Sequence, residues 1–114
     1  MNVPRPGQPV RGSTTGRPIM AALDLLGQRW TLRLIWELRE DPAGFRELQR
    51  RCEQMSSSVL STRLAQLVDA GIVEAGENYQ LTPLGKDLIR ALHPLQRWAD
   101  DWANLSPPGG SRSR

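Results

Sequence analysis

Residues 45–82 read FRELQRRCEQMSSSVLSTRLAQLVDAGIVEAGENYQLT. The stretch predicts a short helix, a tight turn, a longer amphipathic helix, and two short strands around a small loop. In the longer helix Leu60, Leu64, Leu67 and Val68 recur at helical spacing and form one apolar stripe. At about 100° per residue the opposite face carries Ser58, Thr62, Ala65, Gln66 and Asp69. Three serines precede the apolar periodicity, so Ser56 or Ser57 is expected as the N-cap. Gly71 is expected to stop the helix. Residues 73–75 and 79–82 then pair across the turn-prone Gly76-Glu77-Asn78 linker.

Two helices closed by a β-hairpin form a winged helix-turn-helix arrangement, which points to DNA binding. Working outward, residues 19–44 hold two more helices: about 19–26, stopped by Gly27, and about 30–40, ended by the Asp41-Pro42 pair. After the hairpin a last helix begins at Pro83, with Thr82 as its N-cap, and runs to about Asn104. The expected fold class is mainly α with a small β-hairpin: a winged helix-turn-helix domain with flanking N- and C-terminal dimerisation helices. The domain organisation follows: residues 1–18 a flexible basic arm, 19–105 the folded domain, and 106–114 a disordered, Pro/Gly/Ser-rich tail.

A chain of 114 residues with 39% hydrophobic content builds one core. No apolar run approaches membrane-spanning length, and residues 1–18 are too polar for a signal peptide. A single cysteine excludes an internal disulfide and fits a reducing cytosol, so a cytoplasmic, nucleoid-associated location is expected. One histidine, no Cys/His cluster and no nucleotide-binding glycine loop argue against a metal, a cofactor or an enzymatic activity. The net charge of +3 hides an asymmetry. Five arginines lie in the tails, while residues 18–105 hold ten basic and all twelve acidic residues, a net of −2. Strong non-specific DNA affinity is therefore not expected from the body alone.

Two helices call for a partner surface. Trp30, Leu34, Ile35 and Leu38 make one stripe, with Leu32 and Trp36 on the other side. In the last helix Leu84, Leu88, Leu92, Leu95, Trp98 and Trp102 align over about five to six turns, and Pro94 predicts a kink near residues 90–93. A domain this small has difficulty covering so long a stripe with its own elements, which points to a homodimer. Leu23, Leu95, Trp98 and Trp102 are the expected interface residues. The tryptophans also offer lining for a small hydrophobic effector.

The segments LDLLGQRWTLRLIWEL, GFRELQRRC, MSSSVLSTRLAQLVDAGIVE, YQLTPLGKDL and PLQRWADDWA, in this order and spacing, cover most of residues 18–103. With them the chain resembles the HxlR-type winged-helix transcriptional regulators of bacteria. The resemblance implies a dimer formed by the terminal helices, a recognition helix in the major groove, wings near the adjacent minor groove, and palindromic operators. Three features depart from the family pattern. Arg17-Pro18 stands where redox-responsive members carry Cys-Pro, so a cysteine switch is not carried over. Ser58 stands where many members have lysine, and the short wing carries Glu74 and Glu77.

The expected DNA contacts are Ser57, Ser58, Ser61 and Thr62 near the N-terminus of the longer helix. These short hydroxyl side chains reach bases or phosphates only at close approach, where the helix dipole favours an anion. Phosphate contacts are expected from Arg29, Arg46, Arg50, Arg51 and Arg63. Arg5, Arg11 and Arg17, spaced six apart in a Pro/Gly-rich arm, suit a narrow minor groove. An alternative reading is a winged-helix domain whose weakened DNA face serves protein or small-ligand binding. Cys52 is expected to be a buried, inert thiol, and His93 a structural or surface residue.

Overall fold

The computed structural model describes residues 17–105. The arm and tail residues, Arg5 and Arg11 among them, lie outside the described residues. Helix α1 (Pro18–Leu26) starts with proline at its first position, where the missing N–H costs nothing, and closes with the Gly27 N–H on the Leu23 carbonyl. Its start places Pro18 in the folded domain, one residue before the expected boundary.

Helix α2 spans Thr31–Glu37, shorter at both ends than the expected 30–40. Trp30 sits outside it with φ 77°, a left-handed conformation unusual for a bulky residue and costing on the order of 1–3 kcal/mol. At the other end the Leu38 N–H bonds the carbonyls of Leu34 and Ile35, and the Arg39 N–H bonds that of Trp36, so the last turn tightens and stops. The Arg39 guanidinium then lies 4.2 Å over the Trp36 ring and donates to the Trp36 carbonyl.

Helices α3 (Phe45–Arg51) and α4 (Ser57–Asp69) are the helix-turn-helix pair. Ser56 caps α4 as expected, its Oγ accepting from the Val59 N–H at 3.2 Å. The α4 C-terminus is a Schellman closure around Gly71 (φ 81°): the Gly71 N–H bonds the Val68 carbonyl and the Ile72 N–H bonds that of Leu67. Strands β1 (Val73–Ala75) and β2 (Tyr79–Leu81) pair antiparallel, with Val73 opposite Leu81 and Glu74 opposite Gln80. A further bridge joins Ala43 to Tyr79 and ties the wing to the start of α3.

One core gathers the inner faces of all these elements, with Leu34, Ile35, Leu48, Leu60, Leu64, Leu67 and Val73 essentially without solvent. Helix α5 (Pro83–Leu105) opens on the Thr82 cap, whose Oγ1 accepts from the Gly85 N–H and donates to the Gly71 carbonyl at 2.6 Å. Gly85 lies so close to the backbone just before β1 that a Cβ there would stand 2.3 Å from the Ile72 carbonyl oxygen. This close approach seats the first turns of α5, and Ile89 is its last fully buried side chain. The helix continues through Pro94, and the rest of it leaves the core.

Candidate nucleic-acid interface

The core-facing side of α4 is Leu60, Leu64, Gln66 and Leu67, all buried. Its outer side is Ser57, Ser58, Ser61, Thr62 and Ala65, all exposed. Every side chain on that face is short, so another surface can approach the helix backbone closely. The sequence placed two neighbours on the wrong side. Gln66 is not on the solvent face but 5% exposed, and Val68 is exposed rather than part of the apolar stripe. Residues at the borders of a helical stripe are decided by what packs beside the helix rather than by periodicity.

Two of the five arginines expected at phosphate are committed inside the domain. The half-buried Arg63 donates from Nε to the Arg29 carbonyl at 2.7 Å, pinning α4 to the α1–α2 loop, and it lies within reach of Gln66 Oε1 at 3.5 Å. Arg51 donates from Nε to Glu47 at 3.0 Å and from a terminal nitrogen to the Glu37 carbonyl at 2.9 Å. Arg33 completes a reciprocal lock: it donates to the Arg51 carbonyl at 2.6 Å and pairs with Glu37 at 2.8 Å. Each guanidinium thus satisfies a carbonyl at the end of the other's helix, holding α2 and α3 at a fixed angle.

The remaining expected groups face outward. Arg46 is exposed and has no acidic partner among the described residues. Arg50 is exposed and ion-paired with Glu47, an i,i+3 contact that water screens. Arg29 is exposed, its guanidinium 5.7 Å from the Trp30 ring centroid. Arg17 is exposed just before α1. On the wing Glu74 accepts from Gln80 across the hairpin at 2.8 Å, so a carboxylate marks that surface.

Gln49 was not anticipated. Its Nε2 donates to the Met55 carbonyl at 3.1 Å and to the Ser57 Oγ at 3.0 Å. The turn it spans holds Glu53 and Gln54 at φ 58° and 63°, two successive non-glycine residues in the left-handed region. Gln49 therefore fastens a strained turn and orients the first serine of α4. A polar residue on the outer side of α3 was visible in the sequence, but its partner was not.

Cys52 is fully buried between α3 and the turn. Burial pushes its thiol pKa up, against a smaller opposing pull from Arg33, so the unreactive protonated form persists at neutral pH. Among the described residues no cluster of His, Cys, Asp and Glu is placed to hold a metal, and no helix is long and apolar enough to cross a membrane.

An exposed polar helix presented by a helix-turn-helix and flanked by a two-stranded wing defines a winged-helix regulator. The HxlR-like helix-turn-helix family model matches residues 25–107, and the chain belongs to that family. It is 30% identical over 93 residues to the HTH-type transcriptional regulator YvaP of Bacillus subtilis, covering 75% of this chain and 86% of that one. It is 32% identical to the regulator Rv3095 of Mycobacterium tuberculosis over 76% of this chain, spanning 60% of that protein's length. The solved structure of quinone-bound YodB from B. subtilis superposes with a TM-score of 0.69 at 33% identity, covering 73% of this chain and 96% of that one. The family's members are transcriptional regulators and not enzymes.

Proposed function

We propose that the chain acts as a homodimeric, sequence-specific regulator that lays α4 in the major groove of a palindromic operator. The observation that carries this reading is the unbroken exposed face of Ser57, Ser58, Ser61, Thr62 and Ala65. Hydroxyl groups on a helix that can come close donate to phosphate and donate to or accept from base edges. Arg46, Arg50 and Arg29 supply phosphate contacts, while Arg51 and Arg63 act by fixing the helices on which those contacts stand. Arg11 and Arg17 in the arm add charge that the wing lacks. Such a regulator works in the cytoplasm on nucleoid DNA.

Dimerisation rests on Leu23, Leu95, Trp98 and Trp102, which are exposed at 56%, 49%, 56% and 64%. Large apolar side chains left in solvent, Trp98 and Trp102 stacked among them with ring centroids 5.5 Å apart, mark interaction surfaces. A small hydrophobic effector belongs to the same reading, because YodB has been crystallised with a bound quinone.

Fluorescence anisotropy on the chain's own promoter DNA, with a scrambled duplex as competitor, tests the reading. Selective retention of the promoter duplex supports it. Equal competition by the scrambled duplex, or no binding, favours the alternative of a protein- or ligand-binding module.

A further inference from the structure

We propose that Gln49 is a positioning residue for DNA readout: it fixes the Ser57 hydroxyl as a hydrogen-bond donor, so that Ser57 meets an acceptor on the duplex, a phosphate oxygen or the acceptor edge of a base. The inference rests on the DNA-binding reading above. It adds to that reading a polarity for one contact and the residue that sets it.

The polarity originates at a backbone carbonyl. The Met55 carbonyl, in the turn before α4, offers only lone pairs, so the group facing it at 3.1 Å must be the amide nitrogen of Gln49. A flipped amide would set two oxygens against each other. The nitrogen carries two hydrogens, and with one committed to Met55 the other is directed at the Ser57 Oγ, 3.0 Å away. Ser57 is thereby the acceptor in this pair, and its own proton points away from Gln49. Accepting a hydrogen bond polarises a hydroxyl and makes it a stronger donor. The incoming N–H also occupies one lone pair and sets positive charge beside the oxygen, which disfavours the amino groups of adenine and cytosine as partners.

The amide has little freedom to change this arrangement. Gln49 is half-buried, and its backbone carbonyl accepts from the Gln54 N–H at 2.7 Å. It therefore clasps the left-handed turn with main chain and side chain together. The neighbouring hydroxyls differ. Ser56 Oγ is committed to the Val59 N–H as the α4 cap. Among the described residues the Ser58, Ser61 and Thr62 hydroxyls have no hydrogen-bond partner, so each can rotate to donate or accept. Within the exposed face of α4, Ser57 is the hydroxyl whose polarity is decided before DNA arrives.

Anisotropy titrations of a double-variant cycle test the proposal, with the promoter duplex and its scrambled counterpart as probes. Ser57→Ala is expected to weaken promoter binding by about two- to tenfold, the range for one neutral hydrogen bond. Gln49→Met keeps the length of the side chain and removes both donors. It is expected to cost at least about twofold more in the wild-type background than in the Ser57→Ala background. A residue that only clasps the turn costs the same in both, and that result would overturn the proposal while leaving DNA binding in place. Gln49→Glu gives a second cycle should the first variant unfold the turn. Its carboxylate accepts the Ser57 proton and reverses the pair, while its charge acts in both backgrounds, so the same excess loss is expected. The two sources of acceptor separate in these titrations: equal loss on both duplexes marks a phosphate, and loss on the promoter alone marks a base edge. Unchanged binding of Ser57→Ala to both duplexes overturns the proposal. A wild type that binds neither duplex overturns the functional reading with it.

Discussion

The helix-turn-helix body and the terminal helices are built on opposite terms. In the body the apolar side chains of α2, α3 and α4 find cover, Leu32 and Val68 excepted; its arginines tie helix ends together across 14 to 34 residues of sequence, and Gln49 fastens the turn. In α1 and the distal half of α5 the apolar residues outnumber the neighbours available, leaving Ile19, Leu23, Leu95, Trp98, Trp102 and Leu105 in solvent. The body specifies its own shape, while the proposed association falls to the terminal helices. The proposed recognition surface sits on the self-sufficient part, so on this reading a partner sets the distance between two such surfaces and not the geometry of either.

Substitutions that separate the two regions should rank as follows. Leu64→Ala, in the fully packed centre, should destabilise the chain by about 2–5 kcal/mol in urea or thermal unfolding. Trp102→Ala should instead weaken the dimer by about 2–4 kcal/mol with little change in monomer folding. Comparable loss of monomer stability from both would erase the division.

Gly85→Ala tests the seam between the regions. Its new methyl group would collide with the Ile72 carbonyl, so α5 must shift away from the backbone before β1, at a cost of about 1–3 kcal/mol measured by denaturation. Within the body, Arg63→Ala should lower stability by about 1 kcal/mol through the lost bond to the Arg29 carbonyl. Arg46→Ala should leave stability unchanged and reduce the log–log salt slope of DNA binding by about 0.9, the value for one phosphate contact. Deleting residues 1–17 should flatten the slope further if the arm's arginines reach phosphate.

The smallest effect expected is at Cys52. Because burial raises its thiol pKa, iodoacetamide should label the native protein far more slowly than the unfolded chain, and Cys52→Ser should leave DNA binding insensitive to peroxide, as in wild type. Rapid native labelling would show that the pocket around the thiol opens.

Much of this was legible in the sequence, and the failures share a cause. The Ser56 cap, the Gly71 closure, the hairpin and the Thr82 cap depend on residues within a few positions of one another, and all formed where expected. The extent of α2 was misjudged because the left-handed Trp30 and the Arg39–Trp36 stack are tertiary choices that periodicity does not encode. Gln66 and Val68 exchanged environments because a stripe's border is set by its neighbours. The roles of Arg33, Arg51 and Arg63 were hidden because their carbonyl partners lie 14 to 34 residues away. The serine face was legible because solvent exposure of α4 follows directly from its buried leucines.

Sedimentation equilibrium of the wild type beside the Trp98→Ala/Trp102→Ala double variant tests the division most directly. The account predicts a wild-type dimer at micromolar concentration and a folded, compact monomer for the variant. A monomeric wild type, or a variant that dimerises as tightly as wild type, would contradict it.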